Sequence, residues 1–354
     1  MMRKRKSGLG ILFGCISISI LILSTCQQNK GSQGAAKAAA KSFQVAVFVP
    51  GVAEGSPIYE MLVAGARRAV DESEHASADI VEGGFNQAEW QDKVTTLAAT
   101  AAYDLIITSN PSMPAICAEV AKKFPTQKFA VMDGHLNGHP QIYTLLFNQL
   151  EQGYLVGYMA GLVTTSDMPG VNPELRVGLI AGQRYPMMDQ AIRPGFEKGF
   201  KAVNQNVKLD FRVIGNWYDA NKAAELATAM FETGTDIVLT IAGGANQGVI
   251  MAAKQLQKYV LWFDSSGYDL APGTVAGSGA LRNDRAAYET VKQAIAGTLP
   301  YGRSKTVGIQ EGYVDFIQDN EHYKQTVPDS LRQRMAKRVE LLKSGSIELE
   351  MPNF

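Results

Sequence analysis

Asp133 and Asp264 each stand directly after an apolar, strand-like run, "KFAVM" and "VLWF". A short carboxylate at such a strand end can accept hydrogen bonds from hydroxyl groups or ring N–H groups of a small polar ligand. Other strand ends carry similar candidates. Asn148 follows "YTLLF", Tyr185 lies just beyond "VGLIAG", Asn246 follows "IVLTIAGGA" and Arg282 follows "GSGAL". Trp217, in "VIGNWYDANKAAE", is one of three tryptophans and falls in a turn between a strand and a helix. Its indole either plugs a local core or offers a flat platform for a ring. Tyr59, in the Gly/Pro loop after the first strand, and Trp90, in "NQAEWQDK", are further candidates, the latter also open to ordinary helix packing. Asp219 reads as the cap of a helix over 220–232, and Asn246 has a capping alternative as well.

The recognisable catalytic signatures are missing. There is no G-x-x-x-x-G-K-[ST], and "GGANQG" has neither that lysine nor the dinucleotide-binding spacing. His75, His135, His139 and His322 form no H-E-x-x-H and no Cys/His cluster, and no G-x-S-x-G occurs. The expectation is a binding protein, not an enzyme, with no metal and no catalytic cofactor.

The elements that would position these residues alternate. Strand-like runs at 43–49, 104–109, 128–133, 142–148, 176–182, 211–216, 236–243 and 260–264 are separated mostly by helix-period stretches at 59–72, 113–124, 187–203, 221–234 and 246–257. Continuous apolar strands are buried on both faces, and strand–helix alternation implies parallel sheets with right-handed crossovers. The pattern occurs twice. It predicts an α/β chain of two lobes, each a mostly parallel sheet flanked by helices, with the ligand in the cleft outside the carboxyl ends of the strands. The expected boundaries are 43–150 for the first lobe and 151–272 for the second. Late strands at 273–280 and 307–317 are candidates to return to the first lobe, with part of 273–354.

Residues 1–25 read as an export signal: Arg3, Lys4, Arg5 and Lys6 precede the apolar "LGILFGCISISILIL", and "LSTC" ends at Cys26. That ending resembles a lipoprotein cleavage site, making Cys26 the expected lipidated residue, with Thr25 a departure from the usual Gly or Ala. Residues 26–42 hold no large apolar side chain and read as a tether. Lys+Arg and Asp+Glu both number 34, and the four basic residues of the signal leave the remainder acidic by four. Nothing suggests nucleic acid. Beyond Cys26 only Cys117 remains, so an acylated Cys26 leaves no intrachain disulfide.

Three segments carry a family resemblance: "KFAVMDGHLNGHPQIYTLLFNQLEQGYLVGYMAGLV", "VGLIAGQRYPMMDQAIRPGFEKGFKAV" and "DIVLTIAGGANQGVI". They resemble the basic membrane protein family of PnrA-like lipoproteins, the substrate-binding components of ABC importers. The resemblance covers nearly all of residues 43–317. It implies a periplasmic-binding-protein-like fold, ABC permease and ATPase partners, and a lipid anchor holding a periplasmic domain to a bacterial membrane. It places the second-lobe stacking aromatic on Trp217, acids on Asp133 and Asp264, a basic residue at Arg282 and a close-approach turn at Gly243 and Gly244. Where the nucleoside binders carry a stacking Phe and an Asn in the first loop, this chain has Ile58 and Tyr59. That departure points to a wider ring, and the chain looks similar to the riboflavin-binding lipoproteins of the RfuA type. Riboflavin is thus the expected ligand, with a purine nucleoside as the alternative.

Overall fold

The computed structural model describes residues 42–352, so Cys26, the expected signal at 1–25 and the tether up to residue 41 lie outside the described residues. The chain begins with β1 (Phe43–Val49), α1 (Pro57–Asp71), β2 (Ala76–Glu82), α2 (Trp90–Ala99), β3 (Leu105–Ser109), α3 (Met113–Lys123), β4 (Lys128–Met132) and β5 (Ile142–Phe147). It continues through α4 (Gln149–Thr164), β6 (Arg176–Ala181), α5 (Arg193–Lys201), β7 (Lys208–Val213), α6 (Ala220–Glu232), β8 (Thr235–Ile241), α7 (Asn246–Gln255) and β9 (Tyr259–Trp262). It closes with β10 (Val275–Leu281), α8 (Asn283–Ile295), β11 (Ser304–Val307), β12 (Val314–Phe316), α9 (Glu321–Thr326) and α10 (Asp329–Lys343).

Two six-stranded sheets form, in the orders β11-β5-β4-β3-β1-β2 and β12-β10-β9-β8-β6-β7. Neighbours are parallel throughout except for β12, which runs antiparallel to β10. The central strands are buried along their length, as their unbroken apolar sequences demand, whereas the edge strand β2 alternates between half-buried and exposed positions. In the first lobe α1 and α8 pack together, while α2 and α3 cover a separate core with Phe48, Trp90, Ile106 and Cys117.

The late strands do not behave as expected. β10 and β12 stay in the second sheet, and the segment that returns to the first lobe is α8 with β11. The reason is register: β10 pairs with β9 before the chain leaves, and only Ser304–Val307 finds the free edge of β5. The chain therefore passes between lobes three times, after β5, after β10 and after β11. Neighbouring crossovers are tied by backbone bonds: Asn148 donates to Val307 O at 2.8 Å and Arg282 to Tyr313 O at 2.9 Å.

All sixteen residues of α4 are buried. A helix apolar on every side belongs inside a protein, and α4 packs on α5 and on β8, β10 and β12 of the second sheet. Its partner α5 begins as a wide π-turn at Met188–Ile192, where the sequence predicts a plain helix from 187. The two helices meet through glycines. A Cβ on Gly157 would run into the carbonyl of Phe196, and one on Gly199 into the carbonyl of Tyr154. Because the obstacles are backbone, the contact relaxes only by parting the helices. Gly157→Ala is therefore expected to destabilise the protein by about 1–3 kcal/mol, the usual cost of overpacking, read as a lowered midpoint in urea unfolding.

Candidate functional site

Both sequence-predicted acids sit on strained single-residue turns. Asp133, just past β4, has φ 54°, and Asp264, just past β9, has φ 69°. Left-handed backbone costs most L residues free energy, and Asp is among those that tolerate it. Asp133 is buried and Asp264 half-buried. The two come together with Tyr59 and Tyr185: burial first, then the charges of Asp133, Asp264 and Tyr59, push the Tyr185 phenol well above its ordinary value. Burial and then Asp264 drive the Asp133 carboxyl up to about 8, against a hydrogen bond from Gln149. Burial pushes Asp264 up to about 6, against a hydrogen bond from Gln152. Both carboxyls are thus held above the ordinary range, Asp133 further than Asp264. A protonated carboxyl both donates and accepts, whereas an ionised one only accepts.

Trp217 is half-buried in the turn after β7. Its indole lies against Gly182, where an added Cβ would press on the ring at 2.5 Å, and its ring centroid is 6.1 Å from that of Tyr185. Its carbonyl accepts from Ala245 N, and Gly243, at φ 56°, and Gly244 lie against that same carbonyl. The glycine turn thus lets the Trp217 loop approach. Asp219 caps α6, its Oδ1 accepting from Lys222 N at 2.9 Å.

The remaining candidates divide. Tyr59 is half-buried, its ring beside Gly51 and its hydroxyl accepting from Asn110 Nδ2 at 3.1 Å; burial foremost pushes its phenol up to about 12. Ile58 is half-buried in the same turn, and its carbonyl accepts from Asn283 at 2.7 Å. Arg282 is exposed and pairs with Asp284 at 3.3 Å. A cleft of about 800 Å³ is lined by Gly55, Met61, Gly243, Gly244, Asp264 and Arg282 among others, so both lobes contribute. Asp133, Tyr59, Tyr185 and Trp217 are not in its lining, and the mutual electrostatic effects of the two acids and two tyrosines locate the site better than the open volume does.

Three candidates are structural. Trp90 is buried in the core between β1 and α2, and its indole N–H donates to Gly84 O at 2.8 Å. Its apolar surface is spent on packing, which corrects its reading as a ligand contact. Asn148 caps α4 through Glu151 N, and its amide donates to Leu349 O. Asn246 is no cap: its Oδ1 accepts from Thr240 Oγ1 and Ala242 N and holds the glycine turn.

The strand-end position of Gln149 was readable beside Asn148 but its role was not, and Gln152 was missed; they donate to Asp133 Oδ1 at 3.2 Å and to Asp264 Oδ1 at 3.3 Å. The sequence reading also missed Phe85, whose exposed ring meets the exposed ring of Tyr218 at 6.1 Å. Their signal was available: three polar residues open an otherwise apolar helix at 149–152, and a large aromatic stands in the glycine loop after β2. Among the described residues no group of three or more His, Cys, Asp or Glu could hold a metal ion, and no helix is long and apolar enough to cross a membrane.

Residues 43–348 match the family model of PnrA-like ABC transporter substrate-binding proteins. The chain belongs to this family. Members are the solute-binding components of ABC transport systems, which receive a small molecule and work with permease and ATPase subunits. The chain is 27% identical over 271 residues to the CD4+ T-cell-stimulating antigen of Listeria monocytogenes, covering 69% of this chain and 73% of that one. It is 27% identical over 180 residues to the ABC transporter nucleoside-binding protein BmpA of Lactococcus lactis, covering 51% and 46%. It is 27% identical over 201 residues to basic membrane protein A of Borreliella burgdorferi, covering 55% and 57%. In fold it is similar to an ABC transporter solute-binding protein of Aeropyrum pernix, with a TM-score of 0.76 at 20% identity over 88% of this chain and 94% of that one.

The raised acids give a pH prediction. A carboxyl whose folded pKa lies above its unfolded value lowers stability as pH climbs from the unfolded value through the folded one, here from 3.8 to about 8 for Asp133. Asp133→Asn keeps a side chain suited to the left-handed turn and cannot ionise. It is expected to raise the Tm by roughly 3–6 °C at pH 9 and by under about 1 °C at pH 4, measured by calorimetry at both pH values.

Proposed function

We propose that this PnrA-like protein captures a purine nucleoside for an ABC importer. The observation that carries the reading is the meeting of an aromatic face, Trp217 with Tyr185, and two acids raised to different extents, buried Asp133 and half-buried Asp264, in one site. The base would stack on Trp217. Asp133, the more strongly raised, would face as a protonated carboxyl a base edge that pairs a donor with an acceptor, and Asp264 would accept from ribose hydroxyls. A relative named for nucleoside binding supports the same choice.

Riboflavin is the second reading, and one feature favours it. The first-lobe loop presents Ile58 rather than a second free aromatic ring, because the Tyr59 ring is held beside Gly51 and bonded to Asn110. An aliphatic wall accommodates a wider ring system. Attachment through a lipid on Cys26 belongs to this proposal too, with the folded domain held on the outer side of a bacterial membrane.

Isothermal titration with inosine, guanosine and adenosine, set beside quenching of riboflavin fluorescence, separates the two ligands. Saturable nucleoside binding without flavin quenching is expected; tight riboflavin binding with no nucleoside heat would overturn the nucleoside reading. Trp217→Ala is expected to weaken the bound ligand roughly 5- to 150-fold, the worth of one ring stack at about 1–3 kcal/mol, with an unchanged Tm. A lowered Tm at unchanged affinity would make the indole core. Cys26→Ser is expected to move the protein from the membrane fraction to the soluble fraction of the producing cell.

A further inference from the structure

The first turn of α4 reaches both cleft acids at once. Gln149 and Gln152 lie three residues apart, which puts them on one face of a helix. Gln149 Nε2 donates to Asp133 Oδ1 at 3.2 Å, and Gln152 Nε2 donates to Asp264 Oδ1 at 3.3 Å. Both side chains are buried, Gln152 completely, and the Oε1 of each is buried without a hydrogen-bond partner. A buried acceptor left unmade costs about 1–3 kcal/mol, so a pair of them beside a binding site calls for an explanation.

We propose that Gln149 and Gln152 are the positioning residues of the ligand site, each fixing one oxygen of its acid so that the other oxygen meets the ligand. A carboxamide suits this task because its two ends are complementary to the two states of an acid. The N–H end serves an ionised carboxylate, and the amide turned over offers Oε1 to the O–H of a protonated one. The unpartnered oxygens are then the half of each amide used only when the neighbouring acid holds a proton. Asp133 and Asp264 thereby stay anchored in either state. The titratable groups in the cluster are the two acids, Asp264 acting on Asp133, and Tyr59 and Tyr185, which feel the acids in turn. None of these is a cation, which leaves the two amides as the groups that favour ionisation.

The inference rests on the proposal that these acids meet the ligand, so its test has one arm that needs no ligand. Carboxyl titrations by NMR on ¹³C-Asp-labelled, ligand-free protein would compare the wild type with Gln149→Met and Gln152→Met. Each substitution keeps an unbranched side chain of similar size in a buried helix. Loss of the amide is expected to raise the Asp133 midpoint in Gln149→Met and the Asp264 midpoint in Gln152→Met, each by about one pH unit, with the other acid moving less. Affinity for whichever of inosine or riboflavin binds the wild type is expected to fall about 10- to 100-fold, with a shifted pH profile. If a Met variant fails to fold, Gln149→Glu serves in its place; a third carboxyl there is expected to raise the Asp133 midpoint further. Unmoved midpoints in folded variants would overturn the inference, as would moved midpoints with unchanged affinity. A wild type that binds neither compound would remove the ligand reading and the positioning role together, while the crossed midpoint shifts would still report the two amide–acid pairs.

Discussion

The burial of α4 is the constraint on which the site depends. A helix with no exposed face can be placed in only one way, and its glycines bring it so close to α5 that it cannot slide or turn without backbone collision. Its first turn is the exception to its apolar character, and each polar residue there has a fixed partner. Asn148 caps the helix and reaches the C-terminal segment, Gln149 and Gln152 reach the acids, and Glu151 accepts from Ile309 N at 2.8 Å. Ile309 lies on the third crossover, where the chain comes back from β11. Burial pushes the Glu151 carboxyl up to about 7 in spite of that backbone bond, and Glu311 adds to the rise. One helical turn thus ties both acids to a connection between the lobes. Under the proposed function, ligand contact at the acids would be linked to the crossover through a rigid element, the arrangement a closing clamp needs.

The same economy explains the backbone around the acids. β4 and β9 each lie inside their own sheet, flanked by a parallel strand on either side, and each ends on an aspartate in the left-handed region. Such turns persist only where surroundings over-determine them, and they collect at functional sites. Here the surroundings are the flanking strand ends on one side and the amides of α4 on the other. The two lobes repeat one local solution and differ in what they add: Ile58 and Tyr59 from the first, Tyr185 and Trp217 from the second.

What the sequence made legible follows from where the physics is local. Buried parallel strands announce themselves as unbroken apolar runs, so "FQVAVFV", "KFAVM" and "VLWF" could be read directly, and with the last two the strand ends that carry Asp133 and Asp264. β2 was not legible because an edge strand needs no apolar run: "ASADIVE" alternates polar and apolar residues. The return of β11 was hidden for a related reason, since "SKTV" earns its place by pairing with β5 and not by its own pattern. Trp90 misled because an aromatic beside a polar stretch looks the same whether it faces a core or a cleft, and only tertiary packing decides. The polar opening of α4 marks Gln149 and Gln152 as unusual but does not give their role, which depends on an acid 16 or 112 residues away in the chain.

The charge around the cleft narrows the solute further. Its lining includes Glu60, Asp264, Asp284 and Asp315 against the single cation Arg282, and that arginine is already paired with Asp284. A phosphorylated solute entering this field would meet repulsion with no free cation to offset it, and desolvating its phosphate would cost several kcal/mol more. A neutral ring compound bearing hydroxyls meets neither penalty. The charge of the cleft therefore disfavours a phosphorylated solute, in keeping with the proposed capture of an unphosphorylated one.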